Sequence, residues 1–316
     1  MNILITGGAG FLGSHLCDRL LSDGHSVTCV DNLVSGSLIN IEHLRLHANF
    51  TFVNHDVTQP LPDDLRTEAV YHLASPASPN HHSKISYHAL PLVTMMVNTV
   101  GTHELLKFAK KNNARFLFAS TSEIYGDPLE HPQKEQYRGN ASTTGPRSVY
   151  DEAKRFGETL TAHYWRTEGV DARIARIFNT YGPRLQKADM RMIVRFIVQA
   201  LQDEPITIFG DGSQTRSLCY VSDTIDGLVA LMFAPNTNQA IVNIGSPHEH
   251  SVMEYAEMVK KLTGSKSTIT LSEQLPADDP LRRRPDIECA RTLLGWEPKV
   301  SLEEGLKKMI EYIKTT

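Results

Sequence analysis

Two features of the sequence predict an α/β protein with a doubly wound parallel sheet and a smaller C-terminal substrate-binding domain. The first half alternates short apolar runs with longer amphipathic stretches, which is the β-α-β rhythm of a parallel sheet. A glycine-rich turn follows the first apolar run, where such folds pass from strand to helix. The chain has 316 residues, of which 41% are hydrophobic and 22% charged, so it has the length and composition of a globular protein with a sizeable core.

Six apolar runs are predicted strands, and three amphipathic segments between them are predicted helices. The strands are Asn2–Thr6, Ser26–Val30, Phe50–Asn54, Ala69–Leu73, Arg115–Ala119 and Ala172–Ile177. The helices are Gly13–Leu21, Asn98–Lys110 and Val149–Arg166. The nearly continuous apolar character of the fourth strand is typical of a sheet that is covered on both faces.

The rhythm changes after Ile177, because prolines and glycines then divide the chain into shorter elements. We therefore expect a first domain over residues 1–178 and a second over residues 179–316. Two further strands, Leu218–Val221 and Ile241–Ile244, are expected to return to the first domain, so that residues near 218–245 belong to it.

Composition argues against several classes of function. A net charge of -4 gives no reason to expect nucleic acid or an anionic membrane as a partner. The chain begins directly with a predicted strand, and no apolar run approaches the ~18 residues of a membrane span, so we expect a cytoplasmic protein. Its four scattered cysteines and the adjacent pair His81–His82 suggest reduced thiols and loop histidines rather than a disulfide framework or a metal site.

The first turn predicts a dinucleotide site of the Rossmann kind. Gly7, Gly10 and Gly13 are spaced so that the turn can be tight, the backbone can approach a pyrophosphate, and the helix can pack on the strand. The N-terminus of that helix offers unpaired N–H groups to the phosphates. Asp31 ends the second strand, where a carboxylate can bind a ribose 2′-hydroxyl and repel a 2′-phosphate, so NAD is preferred to NADP.

The cofactor contacts expected for NAD surround the ends of the strands. Asp56 either contacts the edge of the adenine or stabilises a turn. The full set is Gly7, Gly10, Phe11, Leu12, Gly13, Asp31, Asn32, Ser35, Gly36, Asp56, Val57, Leu73, Ala74, Ser75, Ala119, Tyr150, Lys154 and Thr180.

A second motif, S-V-Y-D-E-A-K-R, places Tyr150 and Lys154 on one face of a predicted helix. A free tyrosine titrates near ~10, and a neighbouring Lys⁺ together with a positively charged cofactor ring lowers that pKa. Such a base is what an alcohol-oxidising nicotinamide enzyme needs, although a surface pair would have the same spacing. Thr121, Ser122 and Glu123 follow the fifth strand at the ligand edge of the sheet, where they either meet the substrate or cap a helix.

The motifs together resemble the extended short-chain dehydrogenase/reductase superfamily and, within it, the UDP-glucuronate decarboxylases or UDP-xylose synthases. The resemblance covers nearly the whole chain and is carried by V-D-N-L-V-S-G-S, N-H-D-V, Y-H-L-A-S-P-A-S-P, S-T-S-E-I-Y-G-D-P-L-E-H-P-Q, G-P-R-S-V-Y-D-E-A-K-R, A-R-I-F-N-T-Y-G-P-R, G-S-Q-T-R and R-R-P-D-I. Related 4,6-dehydratases typically carry T-D-E after the fifth strand, and simple 4-epimerases typically have a small residue in place of the glutamate. The T-S-E of this chain is similar to the decarboxylase pattern.

The resemblance implies that NAD oxidises C4 of UDP-glucuronate, that CO₂ leaves the resulting β-keto acid, and that reduction then yields UDP-xylose. It implies that Tyr150 accepts the O4 proton with help from Thr121 or Ser122, and that Lys154 assists. Glu123 would act at ring opening and in proton handling near C5. Arg283 would face the carboxylate, although the run Arg282–Arg284 would otherwise be interpreted as a solvated basic segment.

For the UDP moiety, the resemblance implies diphosphate contacts from Arg216 and Arg191. Asn179 and Thr180 would lie beside the nicotinamide. Phe209 either stacks on uracil or is a core aromatic residue. The predicted helices Asn98–Lys110 and Val149–Arg166 resemble those that pair two subunits in this superfamily, so a homodimer is expected.

The sequence departs from the family in two places. The segment between S-P-A-S-P and the N-T of Asn98–Thr99 is longer than in many members, and we expect it to border the entrance for cofactor and sugar. Arg195 stands where many relatives carry an asparagine that contacts the nucleotide.

Several alternatives remain open from the sequence. A related oxidative decarboxylase would stop at the UDP-4-keto-pentose and release NADH. Another NAD-dependent 4-epimerase or 4,6-dehydratase would act on a different sugar. From another class, a scaffold that senses NAD or binds RNA would have lost catalysis, against which the intact Tyr150, Lys154, Glu123 and Arg283 argue.

Overall fold

The structure is a computed structural model that describes residues 1–275 and 279–316. Its centre is a seven-stranded sheet in the order β11-β6-β5-β4-β1-β2-β3, with parallel pairing between all neighbours. The strands are β1 (Asn2–Thr6), β2 (Ser26–Asp31), β3 (Phe50–Asn54), β4 (Ala69–His72), β5 (Arg115–Thr121), β6 (Ala172–Ile177) and β11 (Ile241–Ile244). The strand order reverses between β1 and β4, so the crevice for a ligand is expected at the carboxyl ends of these strands.

Helices cover both faces of the sheet. On one face α1 (Phe11–Ser22) packs against α6 (Val221–Phe233), and on the other α3 (Thr102–Asn112) packs against α4 (Ser148–Thr167). The apolar strands between them are therefore buried, as in β4, where all four residues are buried. The α/β fold with a parallel, doubly wound sheet is confirmed.

One predicted helix was placed too late in the chain. Instead of starting at Asn98, the helical stretch begins as α2 (Pro91–Met96), continues through a π-helical turn at Val97–Gly101, and then becomes α3. Pro91 suits the first helical turn because the N–H groups of that turn have no acceptor within the helix, so a residue that lacks an N–H loses no hydrogen bond there. The predicted strand near Leu218–Val221 is shorter, as β10 (Cys219–Tyr220), and pairs with β7 (Thr180–Tyr181) rather than with the main sheet.

The C-terminal part packs beside the carboxyl edge of the sheet. Its core is formed by α5 (Met192–Leu201), α7 (Val252–Thr263) and α9 (Leu302–Thr315), with β8 (Ile206–Phe209) paired to β13 (Ile269–Glu273). The short strands β9 (Thr215–Arg216) and β12 (His250–Ser251) pair antiparallel, and α8 (Glu288–Leu294) packs on β11. None of the helices described here is long and apolar enough to cross a bilayer.

Candidate active site

A cavity of about 650 Å³ lies between the carboxyl edge of the main sheet and the C-terminal part of the chain. Its wall is formed on one side by Gly7, Leu73 and Thr121, which follow or end three of the strands. On the other side it is lined by Phe209 and Arg216. This is the crevice that the strand order predicts.

The glycine turn leaves space at the inner end of this cavity. Gly7 has φ +71, and a Cβ built there would lie 2.7 Å from the backbone nitrogen of Ala74. A Cβ on Gly13 would overlap the carbonyl oxygen of Gly7, so α1 can approach the turn only without a side chain at this position. Gly10 precedes α1 and lines the cavity with its first residues. The backbone thus forms a cradle beside the positive end of a helix, which fits a pyrophosphate.

Asp31 is fixed at the end of β2 by two backbone donors. The N–H of Leu33 donates to Oδ1 at 2.8 Å and the N–H of Ala9 donates to Oδ2 at 3.0 Å. Burial raises the pKa of this carboxyl, and the two hydrogen bonds partly oppose that effect. The side chain is on the cavity wall beside Gly36, where a ribose hydroxyl could donate to it. The donor set and the cradle therefore fit a dinucleotide such as NAD.

Other expected cofactor residues divide into two groups. Those on the cavity wall are Phe11, Leu12, Ser35, Gly36, Leu73, Ser75, Ala119, Tyr150, Lys154 and Thr180. Those that do not line it are Asn32, Asp56, Val57 and Ala74. Asp56 is exposed and accepts hydrogen bonds from the N–H and the hydroxyl of Thr58, both at 2.9 Å, which favours the turn interpretation.

Tyr150 and Lys154 lie one turn apart on α4 and both reach the cavity. The Lys154 ammonium donates to the carbonyl of Ala119 at 2.7 Å and lies 5.8 Å from the centroid of the Tyr150 ring. Burial lowers the pKa of Lys154 to about 7. Burial also raises the pKa of Tyr150, and a hydrogen bond with Thr121 only partly offsets it. In the free protein burial thus disfavours both charges, and the lowering of the tyrosine pKa by Lys⁺ together with a charged cofactor ring stays a prediction.

Glu123 is held between two guanidinium groups. It lies in the 3₁₀ turn Ser122–Tyr125 after β5, and its N–H donates to the hydroxyl of Thr121 at 3.2 Å. Arg147 donates to one carboxylate oxygen and Arg283 to the other. Burial alone would raise the pKa of Glu123, but the two arginines lower it to about 2. The carboxylate is thus ionised, although it is almost completely buried.

The ion pairs extend beyond Glu123 to a second carboxylate. Arg147 also donates to Asp279 at 3.1 Å, and Arg216 donates to the other oxygen of Asp279 at 2.8 Å. Arg283 does not line the cavity; it binds Glu123 and the carbonyl of Gly126 from behind. The site thus contains alternating positive and negative groups at one end of the cavity.

Sequence reasoning missed Arg147 and Asp279. Arg147 stands three residues before Tyr150 in G-P-R-S-V-Y, so its position at the start of the same helix was an available signal. For Asp279 the sequence offered no such signal, since the fold alone brings this residue to the site. Ser122, which was expected as the alternative to Thr121, is buried but is not on the wall.

Both arginines expected at the diphosphate, Arg191 and Arg216, and the aromatic residue expected at the base are on the wall. Arg191 donates from Nε to Asp189 at 2.7 Å and from Nη2 to the carbonyl of Ala77 at 3.1 Å. Phe209 is half-buried, and the guanidinium of Arg195 lies 4.0 Å from its ring centroid. One face of Phe209 is therefore already covered by Arg195. Asn179 lines the cavity as well.

The enlarged segment borders the same cavity, as the sequence predicts. His81, His82, Ile85 and Tyr87 all contribute to the wall. Across residues 1–275 and 279–316 no group of three or more His, Cys, Asp or Glu side chains is arranged to hold a metal ion. The four cysteines are free thiols.

Comparisons with known proteins agree with this geometry. A family model described as GDP-mannose 4,6 dehydratase matches residues 4–309. UDP-glucuronic acid decarboxylase 1 of Xenopus tropicalis is 51% identical over 99% of this chain and 72% of its own length. UDP-glucuronic acid decarboxylase 3 of Arabidopsis thaliana is 49% identical over 98% of this chain and 88% of its own length.

The chain belongs to the UDP-glucuronic acid decarboxylase family. This family lies within the extended short-chain dehydrogenase/reductase superfamily, so the resemblance inferred from the motifs is confirmed. Among solved structures, UDP-glucuronic acid 4-epimerase from Bacillus cereus, in complex with UDP-glucuronic acid and NAD, aligns with a TM-score of 0.87 at 32% identity, covering 100% of this chain and 99% of its own. UDP-glucose 4-epimerase from Thermotoga maritima, with UDP-glucose, aligns with a TM-score of 0.88 at 31% identity, covering the same shares.

Proposed function

We propose that the protein is an NAD-dependent decarboxylase that converts UDP-glucuronate to UDP-xylose and CO₂. The observation that carries the proposal is the buried Glu123, held by Arg147 and Arg283 at the same cavity as Tyr150 and Lys154. A plain alcohol dehydrogenation requires the tyrosine and the lysine. The buried ion-pair cluster adds positive charge where a sugar acid would lie, and the names of the curated relatives support the same reaction.

NAD is the cofactor that the glycine cradle and Asp31 would hold, with its pyrophosphate at Gly10 and a ribose at Asp31. When bound, it supplies the acceptor for the hydride of C4 and returns the hydride at the end of the cycle. Its positive ring also adds the charge that Tyr150 lacks in the free protein, where burial keeps the phenol protonated.

Tyr150 is the group that would accept the proton of the C4 hydroxyl. Thr121 opposes in part the effect of burial on the pKa of the Tyr150 phenol. Lys154 is held against Ala119, close enough to the Tyr150 ring to stabilise a phenolate once the ammonium is charged. The same phenol gives the proton back to O4 when the ketone is reduced, so the tyrosine is unchanged after one turnover.

The carboxylate of the oxidised sugar is β to a ketone, and the C5–C6 bond electrons therefore pass into an enolate when CO₂ leaves. Arg147, which lines the cavity, places positive charge where this anion develops, and Arg283 offsets the negative charge of Glu123. Fixed charges of this kind often supply the largest catalytic effect. Protonation at C5 completes the step. The overall reaction takes up one proton from solvent for each CO₂ released.

The nucleotide end of the substrate would lie against the C-terminal wall. Arg216 and Arg191 have guanidinium groups on this wall that suit a diphosphate. Phe209 has one face covered by Arg195, so uracil would stack on the other face. Asn179, two residues after the end of β6, also lines the cavity.

We also propose that two copies of the chain pair through α2 and α4. These helices pack against each other and carry Leu92, Val93, Met96 and Phe156, all of which are exposed. An exposed apolar patch on adjacent helices is typical of a surface that a partner covers. Light scattering of the purified protein and of Phe156→Glu tests this: a dimer that the glutamate dissociates is expected, and a monomeric parent protein would contradict it.

Incubation with UDP-glucuronate and NAD⁺, followed by identification of the sugar nucleotide by mass, tests the proposed reaction. We expect loss of CO₂, appearance of UDP-pentose and a flat absorbance at 340 nm, because the hydride returns to C4. A product with unchanged mass and inverted C4 would identify a 4-epimerase. Stoichiometric NADH with a keto-pentose would identify an oxidative decarboxylase.

A further inference from the structure

A second cavity, with a volume of about 260 Å³, lies beside the ion pairs of the reacting end. Its buried wall includes Gly126, Arg147 and Asp151. The rest of its wall includes residues exposed at the surface of the protein, which are Asp127, Asn140 and Ser142. The second cavity therefore leads from the surface to buried charged side chains.

The second cavity ends at the groups that hold Glu123. Arg147 lines both cavities and donates to one carboxylate oxygen of Glu123. Gly126 accepts a hydrogen bond at 3.1 Å from Arg283, which donates to the other carboxylate oxygen. The two cavities thus meet at the same guanidinium group.

Asp151 is the buried carboxyl in the wall of the second cavity. Its side chain is 4% exposed, and Oδ1 is sealed from solvent without a hydrogen-bond partner among the residues that the structure describes. Burial, and after it the charge of Glu123, raise the pKa of Asp151 to about 8, while Arg147 and Arg283 oppose this effect. Two neighbouring buried carboxyls do not both ionise readily, so Asp151 carries a proton at neutral pH while Glu123 is charged.

The proton on Asp151 is controlled by groups from several elements. Besides the two arginines, the charged and titratable groups around it are Glu123, Glu152, Asp127, Tyr87 and Tyr150. Both arginines favour release of the proton, and the charge of Glu123 disfavours it. The proton on Asp151 therefore responds to the charge at the reacting end.

Decarboxylation requires a proton that the substrate does not bring. Loss of CO₂ leaves an enolate, and its C5 must gain a proton before C4 can accept the hydride again. Tyr150 does not supply this proton, since the proton that it takes from O4 returns to O4. Cofactor and UDP-sugar together occupy the main cavity under the proposed function, whereas the second cavity stays open to solvent.

We propose that Asp151 is a proton-relay residue for the decarboxylation, and that the second cavity is the path by which solvent protons reach it. The O–H bond of Asp151 breaks, the proton passes to C5 by way of Glu123, and the enolate electrons form the new C5–H bond. The Asp151 carboxylate then takes a proton from solvent through the second cavity. The inference rests on the proposed function for the identity of the reaction.

Four variants of the NAD-loaded enzyme test the proposal. Asp151→Asn keeps the size of the side chain but carries no acidic proton, and Asp151→Glu restores a carboxyl. Ser148→Leu fills part of the second cavity and leaves Asp151 in place. Glu152→Gln is the matched control, since Glu152 is the next carboxylate of α4, is half-buried, pairs with Arg155 and lines neither cavity.

Single-turnover absorbance at 340 nm with UDP-glucuronate separates the two halves of the reaction. The absorbance rises when C4 is oxidised and falls when the hydride returns, which needs prior protonation of C5. We expect Asp151→Asn to keep the rate of the rise and to slow the fall by roughly 10²-fold, the lower end of what a positioned proton donor contributes. Asp151→Glu should regain part of the rate of the fall, Ser148→Leu should slow the fall alone, and Glu152→Gln should match the parent.

The pH dependence of the fall gives a second readout. In the parent the rate of the fall should decrease as the pH rises through about 8, because Asp151 then loses its proton, and in Asp151→Asn it should be independent of pH over this range.

Equal slowing of rise and fall in Asp151→Asn, or a retained pH dependence, would overturn the relay and leave Asp151 a structural role. Unchanged phases would show that the proton arrives by another path. A normal fall in Ser148→Leu would exclude the second cavity as the path. Failure of the proposed function would appear separately, as a parent enzyme that binds UDP-glucuronate but releases no CO₂.

Discussion

The two ends of the cavity are built in different ways. The cofactor end consists mainly of backbone: the turn around Gly7, the start of α1, and Asp31 held by two N–H groups. The reacting end consists of charged side chains from segments far apart in the chain, with Glu123 and Arg283 separated by 160 positions. A backbone cradle depends on residues within one short motif, whereas a buried ion-pair cluster depends on the whole fold. Mutations at the two ends should therefore fail in different ways.

The largest expected effect is chemical and lies at the reacting end. Tyr150→Phe removes the group that accepts the C4 proton and leaves the ring in place, so the turnover rate should fall by about 10²–10⁴-fold. NAD affinity and thermal stability should stay near those of the parent protein. Steady-state rates with UDP-glucuronate measure the turnover rate, calorimetry with NAD⁺ measures the affinity, and thermal unfolding measures the stability. Retained activity would show that another base serves the site.

A second variant at the reacting end should affect stability. Arg147→Met leaves Glu123 and Asp279 each with one partner fewer in a buried site, and breaking a buried pair in this way typically costs about 3–5 kcal/mol of unfolding free energy. Arg19→Met is the control, since Arg19 pairs with Asp23 and Asp226 at the exposed surface, where a pair contributes about 0–1 kcal/mol. Urea unfolding distinguishes the two. Equal losses of unfolding free energy in the two variants would mean that the buried ion pairs around Glu123 contribute no more to stability than exposed ones.

At the cofactor end, Gly13→Ala should impair binding with a smaller effect on stability. The new Cβ would overlap the carbonyl oxygen of Gly7, so the turn must shift, and overpacking of this kind typically costs about 1–3 kcal/mol. We expect the shifted turn to lose a comparable amount of binding free energy for NAD⁺, so its Kd should rise by roughly ten- to a hundredfold, since each 1.4 kcal/mol is a factor of ten. Gly24→Ala, at a glycine of positive φ whose new Cβ would meet no neighbour within 4 Å, should leave the Kd unchanged.

A further expected effect is a change in the pH dependence of stability. Burial and the charge of Glu123 raise the pKa of Asp151 to about 8, and Arg147 opposes this only in part. Between pH ~4 and 8 the unfolded chain loses this proton while the native state keeps it, so the parent protein loses stability as pH rises. Asp151→Asn cannot titrate. Its melting temperature relative to the parent should rise from pH 5 to pH 8, and a constant difference would contradict the raised pKa.

The backbone of the cofactor end could be predicted from sequence, although Asn32, Asp56, Val57 and Ala74 do not line the cavity. The spacing of Gly7, Gly10 and Gly13, the strand before them and Asp31 after them define a backbone conformation that short-range sterics dictate. The same holds for Tyr150 and Lys154, whose spacing on α4 follows from helical periodicity. Five of the six predicted strands have the same bounds in the structure or differ by one residue at one end: Asn2–Thr6, Ser26–Val30, Phe50–Asn54, Ala69–Leu73 and Ala172–Ile177.

The reacting end could be predicted only in part. Glu123 and Arg283 were singled out through the family resemblance, but nothing local indicates that Arg147 and Asp279 join them. The stacking of Tyr87 on Tyr150 was equally out of reach, because it depends on how residues 78–83 are held against residues 188–190.

The sequence by itself determined the order of strands and helices, the glycine cradle, the acid at the end of β2, and the tyrosine and lysine that share one helical face. These follow from conformational preferences that act over a few residues. Only the tertiary structure decided which arginines hold Glu123, which ring covers Tyr150, and in which direction burial moves the pKa values of Tyr150 and Lys154. The physical reason is that charge and solvent exclusion act through space, so they depend on residues brought together from distant parts of the chain.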